Sequence, residues 1–297
     1  MLLALRGILL SLTSIYCYTL FKDYGQAKKA GQLENSSVLK VGVLGWVANF
    51  IDTLGIGAFA IVVAGNKFFK IGIKDKDLPG FLNVGCCLPA IFEAFIFTTV
   101  IEMDPLTLFS MLVSAAIGSY VGAGIIAKMD ESKIQLVMGI ALLTTSVLMF
   151  CGKMGYMPGG GDAIGLTGIK LIIGVLGNAV LGALMTAGVG LFAPCMALTY
   201  FLGLSPQVTF PIMMGSCAML QPVSSIKFIK EGAYPKKASL VLGLWGIAGV
   251  FIAAFIVKSL PIDTLKWIVI GVLVYTGSNM ISKSKKNLGK EANMVIE

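Results

Sequence analysis

A chain of 297 residues that is 57% hydrophobic and only 13% charged, with a mean hydropathy of +0.89, falls outside the range of soluble globular domains. Its net charge of +8 would suit nucleic acid, but the lysines lie between apolar runs instead of clustering on one segment. That is the pattern of cytoplasmic loops and argues against a nucleic-acid partner. With no histidine, and six cysteines scattered through apolar runs without CxxC spacing, neither a metal nor a cofactor is expected.

In chain order, residues 1–21 read as an N-terminal transmembrane helix, since no small-x-small cleavage site closes the run as a signal peptide. Residues 22–40 form a polar loop with four lysines, assigned to the cytoplasm. A first repeat, 41–151, holds a glycine-broken segment at 41–64, a basic turn at 65–78, and spans at 79–101, 106–127 and 134–151. Residues 152–167, with Pro158 and three successive glycines, form a Gly/Pro linker. A second repeat, 168–282, restates the order with a broken segment at 169–204 and spans near 206–228, 238–257 and 265–282. A lysine-rich cytoplasmic tail, 283–297, ends the chain.

The repeat is legible in letters. GVLG occurs at 42–45 and again at 174–177, and Thr53-x-Gly55-x-Gly57-x-Phe59-Ala60 returns as Thr186-x-Gly188-x-Gly190-x-Phe192-Ala193. Each copy is an apolar helical run that meets two glycines at i and i+2, each costing about 1 kcal/mol of helix propensity against alanine. Broken backbone at bilayer depth is tolerated only where it is buried in protein or lines a cavity. A matched pair of such segments in two halves points to a transporter's binding site; the competing reading is close helix packing through small residues.

Lysine and arginine positions choose between topologies. If every segment crosses once, the two sides hold 14 and 9 of these residues; if each broken segment returns to its own side, they hold 18 and 5. The second solution gives each repeat three spans plus a re-entrant or discontinuous helix. An odd number of crossings then inverts the second repeat. The expected fold is an all-α polytopic membrane protein of two inverted repeats with one extra N-terminal helix, in the cell membrane, its C-terminus cytoplasmic.

Half-helices starting near Gly55–Gly57 and Gly188–Gly190 would aim unsatisfied N–H groups and positive dipole ends at an anion. Thr53 and Thr186 stand where they would cap those starts or offer hydroxyls to a ligand. Asn83, Ser216 and Gln221, on the next span of each repeat, are candidate cavity groups, with inter-helix hydrogen bonding as the alternative. Asp52 and Glu93 are the acids deep within apolar runs, where a carboxylate costs a few kcal/mol and generally has a task. Proton coupling is one such task; for Asp52 the structural alternative is capping the half-helix, and for Glu93 a bond between helices.

On these residues the chain resembles the sulfite exporter TauE/SafE family. The resemblance covers nearly everything after residue 40 and rests on the duplicated unit, on GALMTAGVGLFAP at 182–194, on GLSP at 203–206 and on NFIDTLGIGAFA at 49–60. It implies secondary transport of small anions such as sulfite, organosulfonates or related carboxylates. The family has further glycines where this chain has Ala58-Phe59 and Leu191-Phe192, while Pro194 keeps the family's proline.

The sequence thus leads to a secondary transporter of a small anion working by alternating access with proton coupling. An anion channel through the same broken helices is the alternative. No HExxH or GxSxG motif is present, and an enzyme is not expected. The partners are a small anionic substrate and the lipid bilayer, and a homo-oligomer is compatible with the sequence.

Overall fold

The computed structural model describes residues 2–54, 57–97, 103–156, 160–255 and 262–294. These form helices α1 (Leu2–Lys29), α2 (Val38–Thr53), α3 (Ala58–Phe68), α4 (Leu78–Phe97), α5 (Pro105–Ile126), α6 (Glu131–Lys153), α7 (Gly168–Thr186), α8 (Phe192–Phe201), α9 (Pro206–Glu231), α10 (Lys236–Phe255) and α11 (Ile262–Met294). A 3-10 turn, Asp75–Asp77, precedes α4.

Helix starts follow local chemistry. Ser205 caps α9 with its hydroxyl on the amide of Val208, ahead of Pro206 at the first helical position, and α5 begins the same way with Asp104 and Pro105. The end of α9 is set by Gly232, which takes the left-handed conformation at φ 68°. Two helices outrun the sequence expectation. α1 continues through Lys22 to Lys29, where its last-turn lysines face the negative end of the helix dipole, and α11 carries the lysine-rich tail as helix.

Among the described residues six helices, α4, α5, α6, α7, α9 and α10, are long and apolar enough to cross a membrane. α4 and α9 form the buried centre, while α7 presents Ile169, Ile172, Leu176 and Val180 outward, an apolar face suited to lipid. Backbones approach closely where glycine removes the side chain: Gly45 lies on Leu242, Gly118 on Ala179 and Gly182 on Ala115. The packing pairs exchange between the halves of the chain. α2 packs along α10 as α7 does along α5; α4 touches α10 as α9 touches α5; α4 meets α9, and α6 meets α11.

The short helices double back. Leu44 in the middle of α2 packs on Gly65 in the second half of α3, and Leu198 in α8 packs on Gly177 in the middle of α7. Connections gather accordingly at two ends. At one end, Tyr234 donates to Asp23 (2.6 Å), Lys237 donates to the Ser36 carbonyl (2.9 Å), and Lys283 pairs with Asp75 (3.1 Å). At the other end, the linker backbone bridges Ala163 to Leu204, and the amide of Asp104 donates to the Ile164 carbonyl (3.0 Å).

Candidate functional site

The two interruptions come to one place. Between α2 and α3 the chain turns through Leu54 and Gly57, the latter at φ 95°; between α7 and α8 it turns through Gly188 at φ 98°. Such positive φ suits glycine and strains other residues. Gly55 lies outside the described residues. Gly57–Ala60 and Gly188, Gly190 and Leu191–Ala193 line a common cavity of about 750 Å³, counting the open space at its mouth. The rest of its wall comes from Asp52 and Met185 near the ends of α2 and α7, the second half of α4 (Ala90, Glu93), the middle turns of α9 (Met214, Cys217, Gln221), the second half of α6 (Leu142, Thr145, Met149) and Leu273 of α11.

Of the residues singled out from sequence, Asp52, Gly57, Glu93, Gly188, Gly190 and Gln221 line the cavity. Asp52 is 8% exposed, and its Oδ1 accepts from the amide of Ala58, the first residue of α3 (2.9 Å). The half-helix is therefore capped from across its own break by a carboxylate. The threonines do not perform that task. The Thr53 hydroxyl lies 2.8 Å from the Asn49 carbonyl and 2.7 Å from Glu93 Oε1, while Thr186 donates back to the Ala183 carbonyl (2.6 Å). Each threonine is still in its helix, where its hydroxyl reaches the preceding turn.

Asn83 and Ser216 bind helices together outside the cavity wall. Asn83 donates to the Pro79 carbonyl (2.9 Å) and accepts from Ser224 (3.0 Å), and its carbonyl accepts from Ser225 (2.9 Å). The amide of Asn178 donates to the Met111 carbonyl (2.8 Å) and to Ser216 (2.9 Å). Gln221 behaves differently, being 2% exposed with an Oε1 that has no partner. A buried orphan acceptor costs about 1–3 kcal/mol unless something meets it.

Sequence reasoning did not nominate α6 or α11 for the wall. The polar run Thr144-Thr145-Ser146 inside an apolar span was the available signal, and Thr145 is the residue of it that reaches the cavity. Among the described residues no three metal-ligating side chains gather. The six cysteines are all free thiols, and Cys217 is the one that faces the cavity.

The family comparison belongs to this geometry. Residues 169–296 match the family model Sulfite exporter TauE/SafE. The matched stretch runs from α7 through the second break to the end of α11. Comparison with curated proteins and with solved structures gave no match. The matched family is one of sulfite exporters, and the six span-length apolar helices among the described residues fit a multi-pass membrane protein.

Proposed function

We propose that the protein is a secondary transporter that carries a small anion, sulfite, an organosulfonate or a related carboxylate, by alternating access coupled to protons. The observation that carries this reading is the convergence of both glycine breaks and two carboxyls on one cavity. Bare amide groups at helix starts hold an anion without a buried cation, and among the described residues the cavity wall has no lysine or arginine.

Inverted repeats with re-entrant α2–α3 and α7–α8 pairs complete the reading, each pair followed by three helices (α4–α6 and α9–α11), so that α7, although span-length, returns with α8 to its own side. Its supports are the doubling back of the short helices, the exchange of packing partners between halves, and the gathering of connections at two ends. Alternating access is then a rocking of one element set against the other around the shared cavity.

Glu93 and Asp52 are the proton-coupling residues in this scheme. The Thr53 hydroxyl has two acceptors in range and a single proton to give. A carboxylic O–H on Glu93 donating to Thr53 Oγ1, with Thr53 donating to Asn49, satisfies every atom. Asp52 lines the same cavity, so a proton on either carboxyl changes the charge that an entering anion meets.

Proteoliposomes test the scheme. Saturable uptake of sulfite that responds to an imposed pH gradient is expected, with the pH response lost in Asp52→Asn and weakened in Glu93→Gln. A pH response unaltered in both variants would remove the coupling assignment. Steady conductance without saturation would replace the carrier by a pore.

A further inference from the structure

The two breaks match in sequence and differ in how their helix starts are filled. At the head of α3 the carboxylate of Asp52 accepts from the amide of Ala58. In the repeat register Asp52 corresponds to Met185, Ala58 to Leu191 and Phe59 to Phe192, so the second half has no carboxylate at that place. The N-cap of α8, Leu191, supplies no side-chain acceptor, and α8 has no acidic residue in its first turn. Pro194 has no N–H, and the amide of Cys195 is spent on the Leu191 carbonyl (2.9 Å). The amides of Phe192 and Ala193 remain, and both residues line the cavity. Facing the same space is Gln221, 2% exposed, whose Oε1 lacks a donor.

We propose that the cavity holds a single oxyanion bearing an acidic O–H, seated on the amides at the head of α8 with that O–H on Gln221 Oε1, while Asp52 fills the head of α3 with a carboxylate of the chain itself. The proposal rests on the transport reading above and specifies which half of the cavity binds and what the anion must carry. A helix start without its own counter-charge attracts an anion, and one already capped does not. A fully deprotonated or alkyl-capped oxyanion brings only acceptors, which the Nε2 of Gln221 can meet but its Oε1 cannot.

The test is equilibrium dialysis of radiolabelled sulfite against the purified full-length protein, with methanesulfonate as competitor because it has the same single charge and a methyl in place of the O–H. The wild type is expected to bind one sulfite per chain and to prefer hydrogen sulfite over methanesulfonate by about tenfold, the scale of one hydrogen bond to a charged group. Gln221→Leu is expected to abolish that preference while still binding both anions. Met185→Asp, which gives α8 the tethered carboxylate that α3 has, is expected to lose sulfite binding, and Asp52→Met to gain a second site. Retention of the preference in Gln221→Leu, wild-type affinity in folded Met185→Asp, or a single site in folded Asp52→Met would each overturn the proposal and leave the transport reading standing. Absence of sulfite binding in the wild type would overturn the proposal, and absence of uptake of sulfite, sulfonates and small carboxylates alike in proteoliposomes would remove the transport reading. Should either charge variant fail to fold, the Gln221→Leu comparison decides alone.

Discussion

At Gly118 and Gly182 an added Cβ would land on the carbonyl oxygens of Ala179 and Ala115, and at Gly45 it would come to 2.5 Å from the carbonyl oxygen of Leu242. Backbone cannot step aside as a flexible side chain can, so the helices would have to separate. Gly190 is the opposite case, with nothing within 4 Å of the added atom and a place on the cavity wall. The same substitution should therefore have different consequences at the two kinds of site. Gly118→Ala is expected to cost about 1–3 kcal/mol, the usual price of overpacking, and to lower the melting temperature of the detergent-solubilised protein. Gly190→Ala should melt with the wild type yet slow sulfite uptake, because its methyl occupies cavity space. Equal melting temperatures for the two variants would show that glycine at the α5–α7 contact is not needed for close approach.

At the scale of elements, the start of α5 is tied to the linker by a relay of three groups. Asp104 Oδ2 accepts from the hydroxyl of Thr107 (2.6 Å) and from its amide (2.8 Å), and Thr107 Oγ1 in turn accepts from the amide of Leu166 (2.8 Å). The Thr107 hydroxyl and then its amide hold the Asp104 carboxyl below its ordinary range. A depressed folded-state pKa places the stabilisation above the unfolded value, near 3.9, and removes it as pH falls through the lower folded value. Asp104→Ala is thus expected to lose about 1 kcal/mol at neutral pH, the typical worth of an N-cap, and to lose nothing more than the wild type does on acidification. Melting curves at neutral and strongly acidic pH check this; a wild-type and variant difference that persists at the acidic end would exclude Asp104 as its source. The relay also marks what sequence could carry. Asp104-Pro105 announces a helix start from adjacent letters, and the glycine pairs announce interruptions, since both signals are local. The partnership of Thr107 with Leu166 spans 59 residues, and that of Thr53 with Glu93 spans 40, so neither leaves a periodic trace. Asp52 was visible as a buried acid, with capping one of its two readings; that its oxygen returns to Ala58 required the turn itself.

For the whole molecule, the distribution of charge and the folding back of the short helices bear on the same question from independent sides. Placing each broken segment on its side of origin gathers 18 of the 23 lysines and arginines on one face. In the fold, the connection after α3 meets the tail helix through Asp75 and Lys283, and the connection after α9 meets the end of α1 through Tyr234 and Asp23. These are lysine-rich stretches brought to one end by contacts in which the lysine count plays no part. The linker and the start of α5, poor in lysine, sit together at the other end through Ala163 and Leu204 and through Asp104 and Ile164. Lysine excess marks the cytoplasmic face, so exposed positions at the two ends should label from opposite sides of the membrane. Single cysteines at Lys29 and Lys74 are expected to be protected from an impermeant maleimide in intact cells and to react after permeabilisation, whereas a cysteine at Asp162 should react at once. Cys86, Cys87, Cys195 and Cys217 are buried, and the part-exposed Cys17 and Cys151 are replaced by serine beforehand to keep the background low. Labelling of positions 29 and 74 from opposite faces would mean that α2 and α3 together cross the bilayer, and the inverted arrangement of the two halves would fall with it.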